Sequence, residues 1–547
     1  MRNSATHALP WEGVACPGSL DEHACGKSKR ESKTLMSLLA IDIGSSRCKA
    51  VVFAQTGRIL AQHTCAYTPD FPAPLHAEID SERFWLAVCH CSQAVSKNLS
   101  DPVRALCLNS HGETFVPVNG RNEPTAPAIL NQDNRATEEA VWLSGTFGKM
   151  QLHEITGQVV HPMYPIAKLL WLRKHRPHIF ASSVRFLSVI GYVLTRLGLP
   201  AYIDYSLASR YLAFDIRRRC WSEEILAATE LSAECLPIPV PAGTIAGKLN
   251  GAGANELGLS ADTIVVVGGH DQPCGALGVG AIGPGRVADS MGTYECLLAA
   301  SDQPCLTDAG LAASLNSYCH VVPDKFVTLA YFPSGIMIKW FHDLLYGEEA
   351  RGQDGDYSGM EPLHYATLER DAPAGPTGLC ITPNLIGTCN PDFNPRARGL
   401  ISGLSSSTTR SQIFKGIMEG LACELSLMTD ILGNAVGEFR DVYVTGGGSR
   451  SILGLQLRAA LSGRRLHVME CAEAVCLGGA ILAGVASGEY RSVPEAVELV
   501  VRDISMVLPD DTIAETYTQQ TKQYRHLRSA LTTITNAESS KGQQEER

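Results

Sequence analysis

Asp42-Ile43-Gly44-Ser45-Ser46-Arg47-Cys48-Lys49 brings a carboxylate, a glycine turn, two hydroxyls and a lysine within eight residues. A polyphosphate needs backbone N–H groups and hydroxyl donors at short range, and glycine lets it come that close. Lys49 would neutralise its charge, and Asp42 would hold a Mg2+ ion through water. The same residues also describe a plain hairpin turn with a locally satisfied aspartate. Asp271 follows a run of apolar or β-branched residues at 263–267 and the pair Gly268-Gly269, and precedes a helix predicted at 273–277. A carboxylate at a strand's C-terminal end is where α/β folds place their chemistry. It would serve as a general base, or simply as the N-cap of the following helix. Thr445-Gly446-Gly447-Gly448-Ser449-Arg450-Ser451 joins a strand to a helix, and its glycine run would let a planar ring or a phosphate touch backbone. The plain alternative is a flexible turn.

Other chemistries are disfavoured. Gly278-Val279-Gly280-Ala281-Ile282-Gly283 matches GxGxxG by letter but follows a helix and runs into Pro284-Gly285, so it lacks the strand-to-helix context of a dinucleotide site. Gly26-Lys27-Ser28 resembles the end of a Walker A loop, but Asp21 stands in place of its first glycine. HExxH and GxSxG are absent, which argues against a zincin and a nucleophile-elbow hydrolase. The 18 cysteines form no CxxC pair, and Cys89-His90-Cys91 is the closest spacing, so the pattern suits reduced structural thiols in a cytosol. Cys274 and Cys296, near the proposed base and phosphate turn, read as buried small hydrophobes. A net charge of -10 gives no field to hold nucleic acid or an anionic membrane. No window approaches the roughly 18 apolar residues of a membrane span.

The elements that would position these groups alternate. Residues 41–60 read as strand, turn, strand, turn and a third strand start, the pattern of consecutive hairpins. Helices are predicted at 81–99, 135–143, 166–175 and 451–461, with Asp80-Ser81-Glu82 capping the first. A strand is predicted at 442–445, and Arg217-Arg218-Arg219 reads as a solvated turn between strands. The class is α/β. Ala40-Ile41-Asp42 before Gly44-Ser45-Ser46 is echoed by Ala288-Asp289 before Gly292-Thr293, which suggests two like domains facing each other, or two glycine turns matching by chance. Met36 is expected to be the first residue the fold needs. Residues 1–35 would then be a disordered leader or an extension from a wrongly assigned start, and 536–547 a polar, frayed tail.

Taken in order, these segments resemble the FGGY family of carbohydrate kinases, of the actin-like ATPase superfamily. The likeness runs from about residue 36 to about 509 and includes His76-Ala77-Glu78-Ile79-Asp80, Asn131-Gln132-Asp133-Asn134-Arg135, Asp204-Tyr205-Ser206, Lys339-Trp340-Phe341 and Gly478-Gly479-Ala480. It implies two actin-like, ribonuclease H-like domains facing a central cleft for ATP and sugar. These would be an N-terminal domain over 36–281 and a C-terminal domain over 282–520, with a helix end and tail at 521–547. It further implies Asp271 as the catalytic base and, with Asp42, as part of a Mg2+ site. ATP contacts would fall on Ser45, Ser46, Lys49, Gly292, Thr293, Gly335, Gly446, Gly447 and Ser451, and substrate contacts on His111, Gly112, Glu113, Asp133 and Gln272. The implied partner is a small sugar or polyol, without nucleic acid or membrane, in the cytoplasm; the resemblance also allows a homodimer.

Departures narrow this. Ala460 stands where many relatives carry an acid. Glycerol kinases place an arginine where Gly112 precedes Glu113, and loss of that side chain is expected to enlarge the pocket, remove a cationic clamp and admit a substrate larger than glycerol. The Met-His pair usual in xylulose kinases is missing too. Phosphorylation of a hydroxyl, a primary one in the leading reading, on a sugar, ketose or polyol is therefore expected. Glycerol kinase proper, supported by Glu113-Thr114 and Gln272, and an inactive actin-like ATP-binding regulator are the alternatives.

Overall fold

The computed structural model describes residues 36–347 and 361–545, and the predicted leader lies outside the described residues. The first strand, Ser37–Ile43, opens one residue after Met36 and pairs antiparallel with Arg47–Ala54, which pairs with Ile59–Ala66. Val103–Ser110 lies parallel to the first strand, Ile264–His270 parallel to Val103–Ser110, and Ile245–Lys248 closes the far edge of this six-stranded sheet. The first strand is buried on both faces, as expected of a sheet covered on both sides. On one face Phe84, Val88 and Cys91 of the helix Ser81–Ser96 pack against Ile41, Ile43 and Val52. Asp80 caps that helix by accepting the Glu82 N–H. On the other face Leu38, Ala40 and Val51 meet Cys476, Leu477 and Ile481 of the helix Ala474–Ala486, which therefore crosses from the far end of the chain to the first sheet.

The second sheet has seven strands, and its central hairpin, Arg286–Met291 with Tyr294–Ser301, reproduces the first hairpin of the chain. Asp441–Thr445 adds in parallel to Arg286–Met291, and Arg465–Met469 adds in parallel beyond it. The echo is offset by one residue. Asp42 pairs with Lys49 one step before the turn, and the position one step before the second turn is Ser290, paired with Cys296. Asp289 therefore points to the opposite face, since successive strand residues alternate. There it is fully buried beside Glu295 and Arg458, and burial pushes its carboxyl well above the usual range. The face it joins carries Val287, Met291, Leu297 and Ala299 against Phe414, Met418 and Leu421 of the long helix Arg410–Val436, which a Thr409–Gln412 capping box opens.

The arginine cluster occupies a turn between Phe214–Asp215 and Cys220–Trp221, with Arg217 and Arg218 exposed, as its charge predicts. The last helix runs from Asp511 to Glu545, through the stretch expected to fray. Tyr517, Tyr524 and Arg528 anchor its earlier turns on Glu419 and Glu424, and extension from an anchored helix needs no new nucleus.

Candidate active site

The first hairpin turn, the end of the strand Ile264–His270 and the start of the helix Ala474–Ala486 enclose a cavity of about 390 Å3. Asp42, Ser45, Ser46, Lys49, His111, Asp271, Gln272 and Gly446 of the expected residues all line it, together with Glu473. Asp42 Oδ1 is buried and accepts no hydrogen bond from any described residue. Burial raises its pKa to about 6; Glu473 adds to the rise, while Lys49 and Arg47 oppose it.

Asp271 is the first residue of the helix Asp271–Gly278, and His270 holds the cap position, so capping is not its role. Its side chain is 25% exposed. His270 Nε2 stands 3.2 Å from Asp271 Oδ1 but off the line of a hydrogen bond, which leaves that oxygen without a donor. Burial, then repulsion from Asp42 and Glu113, pushes the Asp271 carboxyl well above its ordinary range; the Gln272 N–H and Arg210 only partly offset this. A carboxylate made more basic in this way is better matched to taking a proton from an alcohol. His270 is kept neutral by burial and by Arg210, and its Nδ1 is 3.4 Å from the Tyr318 hydroxyl.

The expected substrate residues divide. His111 Nδ1 lies 2.8 Å from the Ile43 carbonyl, so that nitrogen carries the proton and Nε2 accepts from Thr114 Oγ1 at 2.7 Å. Glu113 adopts a φ of 58° and its carboxylate is held by Arg210, which also donates to Gln158 Oε1 at 2.5 Å. The guanidinium lies 5.3 Å from the Tyr164 ring centre and 5.1 Å from that of Tyr318. Lys168 donates to the carbonyls of Glu113 and Leu130, and burial lowers its pKa to about 7. Gly112 does not open the space its missing side chain suggests. A Cβ there would come within 3.0 Å of His270 Cδ2 and 3.2 Å of Arg210 Cγ, so the volume is filled and a cation is supplied from elsewhere in the chain. Asp133 lies away from the cavity, fully buried, with its carboxylate on Arg135 and on the Ala77 N–H at 2.6 Å.

A second cavity of about 420 Å3 is lined by Gly292, Gly335, Gly447 and Ser451, with walls of Ile338, Tyr365, Phe414 and Met418. Gly335 must be glycine, because a Cβ would lie 2.5 Å from the Gly292 carbonyl oxygen. The Thr293 carbonyl accepts the Ser334 N–H at 3.1 Å, which fastens the second turn to the helix Gly335–Tyr346. Ser451 caps the helix Ile452–Ser462 and donates to Glu369 Oε1 at 2.5 Å. Below the cavity, Arg458 forks onto Glu295 at 2.9 and 2.8 Å, and Glu295 also accepts from Ser334 Oγ at 2.7 Å. Ala460, where many relatives carry an acid, is buried in the same helix.

The unpartnered oxygens of Asp42 and Asp271 are hard donors that suit a hydrated Mg2+ ion. Among the described residues no group of three or more His, Cys, Asp or Glu side chains is placed to hold a metal ion. Sequence reasoning missed Glu473, Arg210 and Glu369. His270 was visible beside Asp271, but no local pattern marks the other three.

The profile of the FGGY family of carbohydrate kinases, N-terminal domain, matches residues 37–278, and that of its C-terminal domain matches residues 287–487. The chain is 26% identical to a gluconokinase of Bacillus subtilis, over 85% of this chain and 90% of the relative. It is 27% identical to a xylulose kinase of Escherichia coli, over 90% of this chain and 99% of the relative. A gluconate kinase structure from Lactobacillus acidophilus superposes with a TM-score of 0.81 at 22% identity, over 91% of this chain and 98% of that one.

Proposed function

Because the chain belongs to the FGGY family of carbohydrate kinases, we propose that it transfers the terminal phosphoryl group of ATP to a hydroxyl, a primary one, of a sugar, ketose or polyol larger than glycerol, with Asp271 as general base. The observation that carries the reading is the Asp271 carboxyl, made basic by its surroundings and facing the cavity that the first phosphate turn lines. The size of the acceptor rests on the gluconokinase and xylulose kinase relatives rather than on an emptied pocket at Gly112.

Asp271 accepts the proton of the acceptor hydroxyl as its oxygen attacks the γ-phosphorus. Ser45 and Ser46 offer hydroxyls to the phosphates, and the glycines of the second cavity let nucleotide approach backbone, with Ser451 and the apolar walls at its base end. Mg2+, held through water near Asp42, would neutralise phosphate charge. Phosphoryl transfer asks a protein mainly for such positioning and charge stabilisation. A division near residue 281 would give two lobes, one for sugar and base and one for nucleotide, whose closure would keep water from the phosphoryl group. A cytoplasmic enzyme acting on small molecules is the setting this implies, and among the described residues no helix is long and apolar enough to cross a membrane.

A coupled ADP-release assay with Mg-ATP across pentuloses, hexuloses, aldonates, tetritols and glycerol tests the reading. Turnover on one member larger than glycerol is expected. Asp271→Asn should lower turnover by about 10²-fold or more, the scale of a general-base contribution, with ATP binding little changed. Near-normal turnover in that variant removes Asp271 from the mechanism.

A further inference from the structure

The cation that the sequence offers to phosphate already has a partner. Lys49 Nζ lies 2.5 Å from Glu473 Oε2, so the pair joins the strand Arg47–Ala54 to the residue that precedes the helix Ala474–Ala486, 424 positions away. Both side chains line the 390 Å3 cavity, 26% and 20% exposed, and so stay within reach of an entering ligand. Among the described residues Lys49 donates to no other acceptor and the Glu473 carboxylate accepts from no other donor. Glu473 occupies the cap position of its helix yet makes no side-chain capping bond; its carboxylate goes to Lys49 instead. A buried structural ion pair is normally satisfied on all sides, because desolvation is otherwise uncompensated. This one is about a quarter exposed or less and singly bonded, as a pair that can exchange partners would be.

We propose that Glu473 is a positioning residue that stands in for the terminal phosphate of ATP. It holds Lys49 extended in the empty cleft, releases it when phosphate enters, and recaptures it when the phosphoryl group leaves on the sugar. The inference rests on the kinase reading and adds to it an internal competitor for nucleotide. The exchange replaces one anion on Lys49 by another, so the ammonium never loses a counter-charge.

The test is calorimetric titration of the full chain with a non-hydrolysable Mg-ATP analogue and, separately, with inorganic phosphate. The proteins compared are wild type, Glu473→Gln, Glu473→Asp, Lys49→Met and the Lys49→Met/Glu473→Gln double variant. Glu473→Gln should bind both probes about 3- to 10-fold more tightly, the scale of releasing one partly solvated ion pair. Glu473→Asp, which keeps the counter-ion, should stay within about 2-fold of wild type, a rescue that a change of packing would not produce. In the Lys49→Met background Glu473→Gln should have no further effect. Unchanged or weaker binding by Glu473→Gln overturns the proposal, and so does a gain that persists without Lys49, which would reduce Glu473 to a general repulsive charge. If the wild type binds the analogue but phosphorylates no sugar, the functional reading fails while the exchange stands; if it binds neither probe, both fail.

Discussion

The contact between the Asp271–Gly278 helix and the Ala474–Ala486 helix can be tested with a single methyl group. A Cβ on Gly478 would lie 2.0 Å from the Cys274 carbonyl oxygen, and one on Gly278 would lie 1.9 Å from the Ala474 carbonyl oxygen. Both obstacles are backbone, so no rotamer change relieves them. Since real Cβ atoms essentially never approach closer than 3.0 Å, Gly478→Ala must drive the helices apart by about 1 Å locally. Overpacking of this kind costs about 1–3 kcal/mol. The catalytic consequence is larger, because Cys274 sits three residues after Asp271 on the same short helix, and a displacement of about 1 Å at the reacting groups costs roughly 10²-fold. The assay is ADP release on the preferred sugar, run well below the melting temperature of the variant, with a thermal melt alongside. Gly145→Ala is the control: it lies in the helix Thr137–Phe147 with nothing within 4 Å of its added Cβ, and should be neutral or stabilising by up to about 1 kcal/mol. A Gly478→Ala protein that melts earlier but keeps wild-type kcat/KM would refute the claim that this contact positions Asp271 as the proposed base.

Other substitutions probe the site from its two buried sides. Gly112→Ala would press on His270 at 3.0 Å and on Arg210 at 3.2 Å, and because His270 backs Asp271, kcat/KM should fall about 3- to 10-fold with the melting temperature nearly unchanged. Steady-state kinetics check this, and a faster enzyme would mean that the space is not limiting. Asp204 is fully buried, caps the helix Tyr205–Ser209, and has its pKa raised by burial from 3.8 to about 7. The folded state then binds more protons than the unfolded state between about pH 4 and 7, so this group's contribution to stability falls as pH rises through that window. Asp204→Asn keeps a capping oxygen and removes the titration. Its melting temperature relative to wild type should climb from pH 4 to pH 7 and then level off, and a difference independent of pH would contradict the assignment.

What could be read from the chain was local. The first hairpin, the helix capped by Asp80, the strand ending before Asp271 and the glycine turn before Ser451 all depend on neighbours within a few residues, and each stands where its pattern points. Lys49 and Asp289 mark where that reasoning stops. Lys49 has the right type and spacing for phosphate, but its partner lies 424 residues on, and nothing near Glu473 signals it. Asp289 looks like the second copy of Asp42, yet one residue of offset in a strand sends it to the other face.

Gly112 carries the more general point. The absence of a side chain at one position means space only if the surroundings stay as they are in relatives. Protein interiors are close-packed, so a vacated volume is ordinarily filled by something else. Here His270 and Arg210 stand against Gly112, and Arg210 supplies Glu113 with a positive charge. The guanidinium that meets Glu113 comes from Arg210, gripped by Gln158 and by two tyrosine rings, and not from the residue beside Glu113. If the acceptor sugar binds beside Glu113, as proposed, it meets a carboxylate fixed by a buried partner, and selectivity should follow the placement of Glu113 and Asp271 more than the pocket's volume.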